Sequence, residues 1–361
     1  MSSDLFDAPI PTPTAFALPA ERVSALLEAA VPELALGVWS LREVQPLSTV
    51  PHGGQRLTSC VARWTDHSHG GTTTAHLVVK EDRKRVPRWA DRVARLLVAA
   101  GRGAGARDRV ALPYGACAPG ALVTERVFGP SVRAAVVAAP DVDAAELLGE
   151  RLAAWLLDLQ RAPVDLRPSS RRGLDDALPQ LVEVAATVAD RPSAVAALRR
   201  LAWQLQDATT GTREQAGVVS HGDLHPGNVF VSGGDTVAID WDTAALREPA
   251  YDVGYALTQL VVSPLQAGAP LEHGVAAACR FWERYASGGG TASPGRVAVQ
   301  AARALVQSLH FELVTYANGR EDVLDLWPRA ALALLEHGPA GLAVLPEAAR
   351  PYADLLTGTA V

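Results

Sequence analysis

HGDLHPGNVFVSGGDTVAID, residues 221–240, concentrates histidine, asparagine and aspartate side chains in one short stretch. Asp223 and Asn228 lie five residues apart, and Pro226 and Gly227 between them rule out a regular helix. The segment is therefore a loop able to aim several side chains at one point. VFV and TVAID flank the turn-like SGGD, the pattern of a hairpin. If Val231 faces Thr236, Asn228 falls opposite Ile239, with Asp240 one residue further on. An amide oxygen and a carboxylate within about 5–8 Å, the cross-strand and diagonal spacing, suit a hard cation such as Mg2+. That ion takes few protein ligands and completes its shell with water and phosphate oxygens. Asp223 can reach over the same point, orient a hydroxyl and accept its proton. A lone Asp or Asn in a loop is usually a turn former. The conjunction of these residues with Ile-Asp-Trp-Asp at 239–242 goes beyond turn chemistry.

The elements that must hold this loop follow from periodicity. Residues 1–18 are rich in proline and polar residues and are expected to be loosely ordered. PAERVSALLEAAV, 19–31, has helical spacing. LGVWSLREV, QRLTSCVARWT, AHLVVKE, DRVALPYGA and ALVTERV then read as five strands, with a helix at 86–101 inserted after the third. Beyond FGPSV, 128–132, helices are expected at 141–161, 174–189, 193–208, 251–263, 271–286, 295–316 and 329–337. The expected fold is α+β and two-lobed. A small antiparallel β-sheet lobe with one inserted helix spans 19–128, and a larger α-helical lobe spans 130–361.

HGDLHPGN has the spacing of the protein-kinase catalytic loop, and IDWD stands where those enzymes have D-F-G. With EPAYDVG following, the sequence resembles the aminoglycoside phosphotransferase and choline kinase superfamily, small-molecule kinases with a protein-kinase-like fold. The resemblance is specific over 220–257 and rests elsewhere on the order of elements. It implies that Asp223 is the catalytic aspartate, that Asn228 and Asp240 are magnesium ligands, and that His221 is a scaffold histidine. It implies that Asp252 anchors the loop through backbone N–H groups. Lys80, closing the apolar run HLVVK, takes the place of the lysine that holds the α- and β-phosphates. Lysine is scarce in this arginine-rich chain, where only Lys80 and Lys84 occur, so its position is informative. LVTERVFGPSV would be the hinge, near 125–129, whose backbone from Glu125 to Val127 hydrogen-bonds adenine.

The implied activity is an ATP- (or GTP-) and Mg2+-dependent phosphotransferase acting on a hydroxyl of a small molecule. Aminoglycosides, other amino-alcohols and antibiotics are the expected acceptor classes. The alternative is a nucleotide-binding pseudokinase with a regulatory role. Two features depart from the pattern. LSTVPHGG, with Gly53 and Gly54, has no G-x-G-x-x-G where a phosphate-covering loop belongs. Asp91, in the place of the acidic partner of Lys80, lies about 200° around its helix from Trp89, so it is not assigned. Asp242, Glu248, Glu272, Glu283 and Glu312 are acids of the helical lobe that would favour an ammonium-bearing acceptor if they shared a cleft.

Composition excludes other classes. A net charge of −6 argues against a nucleic-acid surface. Cys60, Cys117 and Cys279 are too few and too widely spaced for a disulfide or zinc framework. There is no signal peptide and no uninterrupted apolar span, so a cytoplasmic, membrane-free protein is expected, with its oligomeric state open.

Overall fold

The computed structural model describes residues 18–52, 55–82, 88–117, 120–169, 176–211, 215–267, 270–316 and 323–344. Gly53, Gly54, Lys84 and nearly all of the N-terminal segment expected to be loosely ordered lie outside the described residues. The chain divides into two compact units, Met1–Gly105 with Val110–Val127, and Ala106–Arg109 with Phe128–Val361.

The first unit begins with α1 (Ala20–Ala30) and a single turn, α2 (Pro32–Ala35). Strands β1 (Trp39–His52), β2 (Gln55–Asp66) and β3 (Thr72–Asp82) follow, then α3 (Arg88–Leu97). After β4 (Asp108–Val110) come β5 (Pro113–Cys117) and β6 (Ala121–Glu125). Five of these strands form an antiparallel sheet in the order β1-β2-β3-β6-β5. Alternation fixes its two faces. Ala75, Leu77 and Val79 of β3 are buried in one core with Val23 and Leu27 of α1, Trp64 and Val123. Lys80 therefore points to the opposite face, opposite Leu57 on β2 and Leu122 on β6.

The fourth expected strand, 108–116, is two strands. Pro113 cannot donate to a ladder, and the Leu112 N–H goes to the Glu125 side chain instead (3.0 Å). Asp108 and Arg109 of β4 leave the first sheet and join the second unit, where Thr236 N–H also donates to Arg107 O (2.9 Å).

The second unit is mostly helical. It contains α4 (Val132–Val137), α5 (Val142–Gln160), α6 (Ala177–Thr187) and α7 (Pro192–Gly211). Short strands β7 (Val218–Ser220), β8 (Val229–Ser232), β9 (Asp235–Ala238) and β10 (Ala245–Arg247) come next. Helices α8 (Ala250–Gln266), α9 (Leu271–Ser287), α10 (Pro294–His310) and α11 (Val323–His337) complete it. The strands make a three-stranded sheet, β4-β9-β8, and a two-stranded one, β10-β7. Helix α11 starts well before the expected 329, with Pro328 inside it. Burial of Val323, Leu324, Leu326 and Trp327 outweighs the lost proline N–H. Helix α4 was not expected. It is one short stretch capped by the Ser131 hydroxyl, which accepts from Ala134 N.

Helices α5 and α9 cross at Gly149, where a Cβ would sit 2.0 Å from the Ala277 carbonyl oxygen. Gly149→Ala should therefore cost about 1–3 kcal/mol in chemical denaturation, despite alanine's better helix propensity. Gly211→Ala, into open space, should stay within about 0.5 kcal/mol of the parent. Equal stability of the two variants would contradict this crossing.

Candidate active site

The loop after β7 is held by its backbone. The Asp252 carboxylate, at the start of α8 and 1 % exposed, accepts from His221 N (2.6 Å) and Gly222 N (2.9 Å). Gly222 has φ +83°, and a Cβ there would meet Arg247 Nη1 at 2.3 Å and Thr243 O at 2.4 Å. Glycine is thus required by conformation and by space. The buried His221 ring donates from Nε2 to Ile239 O (2.8 Å), so its Nδ1 accepts the Asp223 N–H (3.4 Å). The Asp223 carbonyl accepts from His225 N (2.9 Å) and from Asn228 Nδ2 (3.0 Å). Burial, first of all, lowers the His225 pKa. That favours the neutral ring whose Nδ1 accepts from Gly227 N (3.0 Å).

The hairpin has the expected register, with Val231 opposite Thr236 and Val229 opposite Ala238. Ile239 N donates to Asn228 O (3.0 Å), which sets Asn228 opposite Ile239 and one residue from Asp240. Asp240 has φ +63°, the left-handed region that non-glycine residues seldom adopt. Trp241 is buried, its ring 4.6 Å from His221 and 6.0 Å from Trp155 of α5. The Asn228 amide nitrogen is spent on Asp223 O, so its oxygen is the atom left for a ligand. Among the described residues no group of three His, Cys, Asp or Glu side chains could hold a metal by itself. An amide oxygen and a carboxylate fit an ion that keeps water or phosphate ligands, as Mg2+ does.

In the first unit, Lys80 stands on the sheet face away from α1. Asp91 is bound by Arg95 Nε, at 3.2 and 3.0 Å, the i,i+4 pair of an exposed helix side. In the expected hinge, Glu125 N donates to Leu112 O (2.8 Å) and Arg126 N to His76 O (2.9 Å).

Comparison with known proteins decides the family. The model of the phosphotransferase enzyme family matches residues 66–288, more than half of the chain. The chain belongs to the phosphotransferase enzyme family. Its fold is that of a choline/ethanolamine kinase family protein from Mesorhizobium loti, with 17 % identity over 91 % of this chain and 99 % of that one, TM-score 0.53. A thermostable mutant of aminoglycoside phosphotransferase APH(4)-Ia, in a ternary complex with AMP-PNP and hygromycin B, is similar at TM-score 0.50. There the identity is 13 % over 82 % of this chain and 94 % of that one. No curated protein matches the chain. The α+β, protein-kinase-like fold expected from the sequence is the fold of this phosphotransferase.

Glu248, Glu272, Glu283 and Glu312 do not form an uncommitted cluster. Glu248 is bound by Arg296 at 2.8 and 2.6 Å and also by Gln300. Glu312 is buried and hydrogen-bonded by Gln266. Glu283 lies by Arg280 on the same helix (3.5 Å), and Glu272 is exposed at the start of α9. The reason is pairing: a buried carboxylate persists only with a partner.

Tyrosine and arginine, which sequence reasoning passed over, are what α8 brings to the loop. The Arg247 and Arg303 guanidiniums each stand over the Tyr251 ring, 4.7 Å from its centroid. Tyr255, three residues after Asp252 on α8, lies close enough to Asp223 for that carboxylate to act on its phenol. Burial above all, then the Asp223 charge, pushes the Tyr255 phenol far above its ordinary range.

Asp252→Ala leaves two backbone N–H groups of the phosphotransferase loop without acceptors. It should cost about 2–5 kcal/mol in chemical denaturation, with Asp252→Asn between it and the parent. An Asp252→Ala protein as stable as the parent would remove this anchor.

Proposed function

We propose that this chain transfers the γ-phosphoryl group of ATP to a hydroxyl of a small molecule. The observation that carries the reading is the hairpin register, which sets Asn228 beside Asp240 on the loop that bears Asp223. Asp223 orients the acceptor hydroxyl and takes its proton as the new O–P bond forms. The bond from the γ-phosphorus to the β,γ-bridging oxygen breaks, and ADP leaves with that oxygen. Lys80 holds the α- and β-phosphates. Of the three hinge residues, Glu125 and Arg126 use their N–H groups inside the unit. Val127 N–H is therefore assigned to adenine, with the Glu125 carbonyl as the acceptor for its amino group. Asn228 and Asp240 hold Mg2+, which when bound neutralises phosphate charge. Phosphoryl transfer asks mainly for positioning and charge stabilisation, which such a rigid loop supplies.

A regulatory pseudokinase is disfavoured because Lys80, Asp223, Asn228 and Asp240 all carry residues competent for the reaction. The acceptor classes to assay first are amino-alcohols such as choline and ethanolamine, and aminocyclitol antibiotics such as hygromycin B. A product of the second kind would make this a resistance activity. Cys60, Cys117 and Cys279 are free thiols, which together with ATP dependence fits action in the cytoplasm. Among the described residues no helix is long and apolar enough to cross a membrane.

Two measurements test the reading. Asp223→Asn keeps the size of the side chain but removes its charge. It should bind AMP-PNP within about threefold of the parent and lower kcat by about 10²–10⁴. Near-parental turnover would make the loop a scaffold only. Asp240→Asn should raise the Mg2+ concentration needed for half-maximal turnover by about tenfold or more, one lost charge-assisted contact. An unchanged Mg2+ titration would remove Asp240 from the metal site.

A further inference from the structure

Helix α8 meets the catalytic loop twice, one turn apart. Asp252 takes the loop's backbone N–H groups. Tyr255, three residues on, lies on the same side of the helix as Asp252, toward the loop that carries Asp223, whose charge acts on its phenol. The helix is steadied around these contacts. The Arg247 and Arg303 guanidiniums stand over Tyr251, and Gly254 lets α10 approach so closely that a Cβ would sit 2.6 Å from Ala301 N.

The Asp223 backbone is fixed by His221, His225 and Asn228, but none of those bonds reaches its carboxylate. The terminal torsion of an aspartate is broad, so a carboxylate held only by its backbone samples many orientations. Resting on the phosphotransferase reading above, we propose that Tyr255 is a positioning residue for Asp223. Its O–H engages one carboxylate oxygen and leaves the other aimed at the acceptor hydroxyl. A phenol suits this task. It donates one hydrogen bond and carries no charge, so it neither neutralises Asp223 nor competes with a cation at Asn228 and Asp240. An ordinary phenol already keeps its proton throughout the neutral range. In this role Tyr255 acts through the Asp223 carboxylate.

The test compares the parent with Tyr255→Phe, Asp223→Ala and the double variant. Phosphate release from Mg-ATP with water as acceptor is the activity readout, and AMP-PNP affinity is measured by calorimetry. Phenylalanine keeps the ring and its packing, and thermal unfolding checks that each variant folds. Tyr255→Phe should lower kcat by about tenfold, the loss of one hydrogen bond to a charged group, with KM for ATP and AMP-PNP affinity within about twofold. In the Asp223→Ala background the same substitution should change the rate less than about twofold, because the partner is gone. A Tyr255→Phe enzyme at the parental kcat overturns the proposal. So does an equal fall in both backgrounds, which would show that Tyr255 acts independently of Asp223. If Asp223→Ala itself turned over at the parental rate, the phosphotransferase assignment of Asp223 would fall, and this proposal with it.

Discussion

Two backbone N–H groups facing one buried carboxylate set the geometry on which the second unit depends. Without Asp252, the N–H groups of the buried His221 and the half-buried Gly222 lose their acceptor. Without those N–H groups, a carboxylate that is 1 % exposed would carry an uncompensated desolvation cost. Each makes the other tenable, so α8 must start at the loop. Its entry is fixed from the other direction too. Glu248, just before the helix, accepts from both Nε and Nη2 of Arg296, and this pair lies almost wholly out of solvent. Breaking such a pair by removing one partner typically costs about 3–5 kcal/mol. Loop, α8 and α10 therefore form one mechanical unit, and Gly254 is the point where the two helices close on each other.

His221 links this unit to the hairpin. Since a carbonyl can only accept, its Nε2 carries the proton and its Nδ1 is free to receive Asp223 N–H. One neutral ring thus joins the residue that would take the acceptor's proton to the residue preceding Asp240. The ring is packed by Trp241 and Trp155. The left-handed turn at Asp240 costs of the order of 1 kcal/mol. It is held by what surrounds it: Ile239 paired to Asn228 on one side, and Trp241 buried on the other. Strain over-determined by packing is what a site with a fixed ligand direction requires.

How much of this could be read in the sequence depends on the range over which each residue's role is decided. The hairpin register was legible because strand alternation and a four-residue turn leave little choice. The sheet of the first unit was legible in its strands but not in the break at Pro113. There the Leu112 N–H is satisfied by a Glu125 side chain, a contact decided across thirteen residues. In the sequence Pro328 looks like a helix start, whereas burial of the residues before it, which extends α11, is a tertiary effect. Helix geometry points Asp91 away from the apolar stripe, and its bond to Arg95 is the local pairing that such geometry allows.

The acids show the limit most clearly. Glu248 and Glu312 are identical in type to a ligand-binding carboxylate, and composition cannot say that Arg296 and Gln266 already hold them. Availability is a property of pairing, and pairing between α8, α10 and their flanks is long-range. Tyr255 is the opposite case. The motif EPAYDVGY places it three residues after Asp252. Once Asp252 is taken to grip the backbone at His221 and Gly222, helical periodicity puts the side chain at that offset on the same face, toward the same loop. That loop carries Asp223. The anchor and Tyr255 are therefore linked by the geometry of a single helical turn.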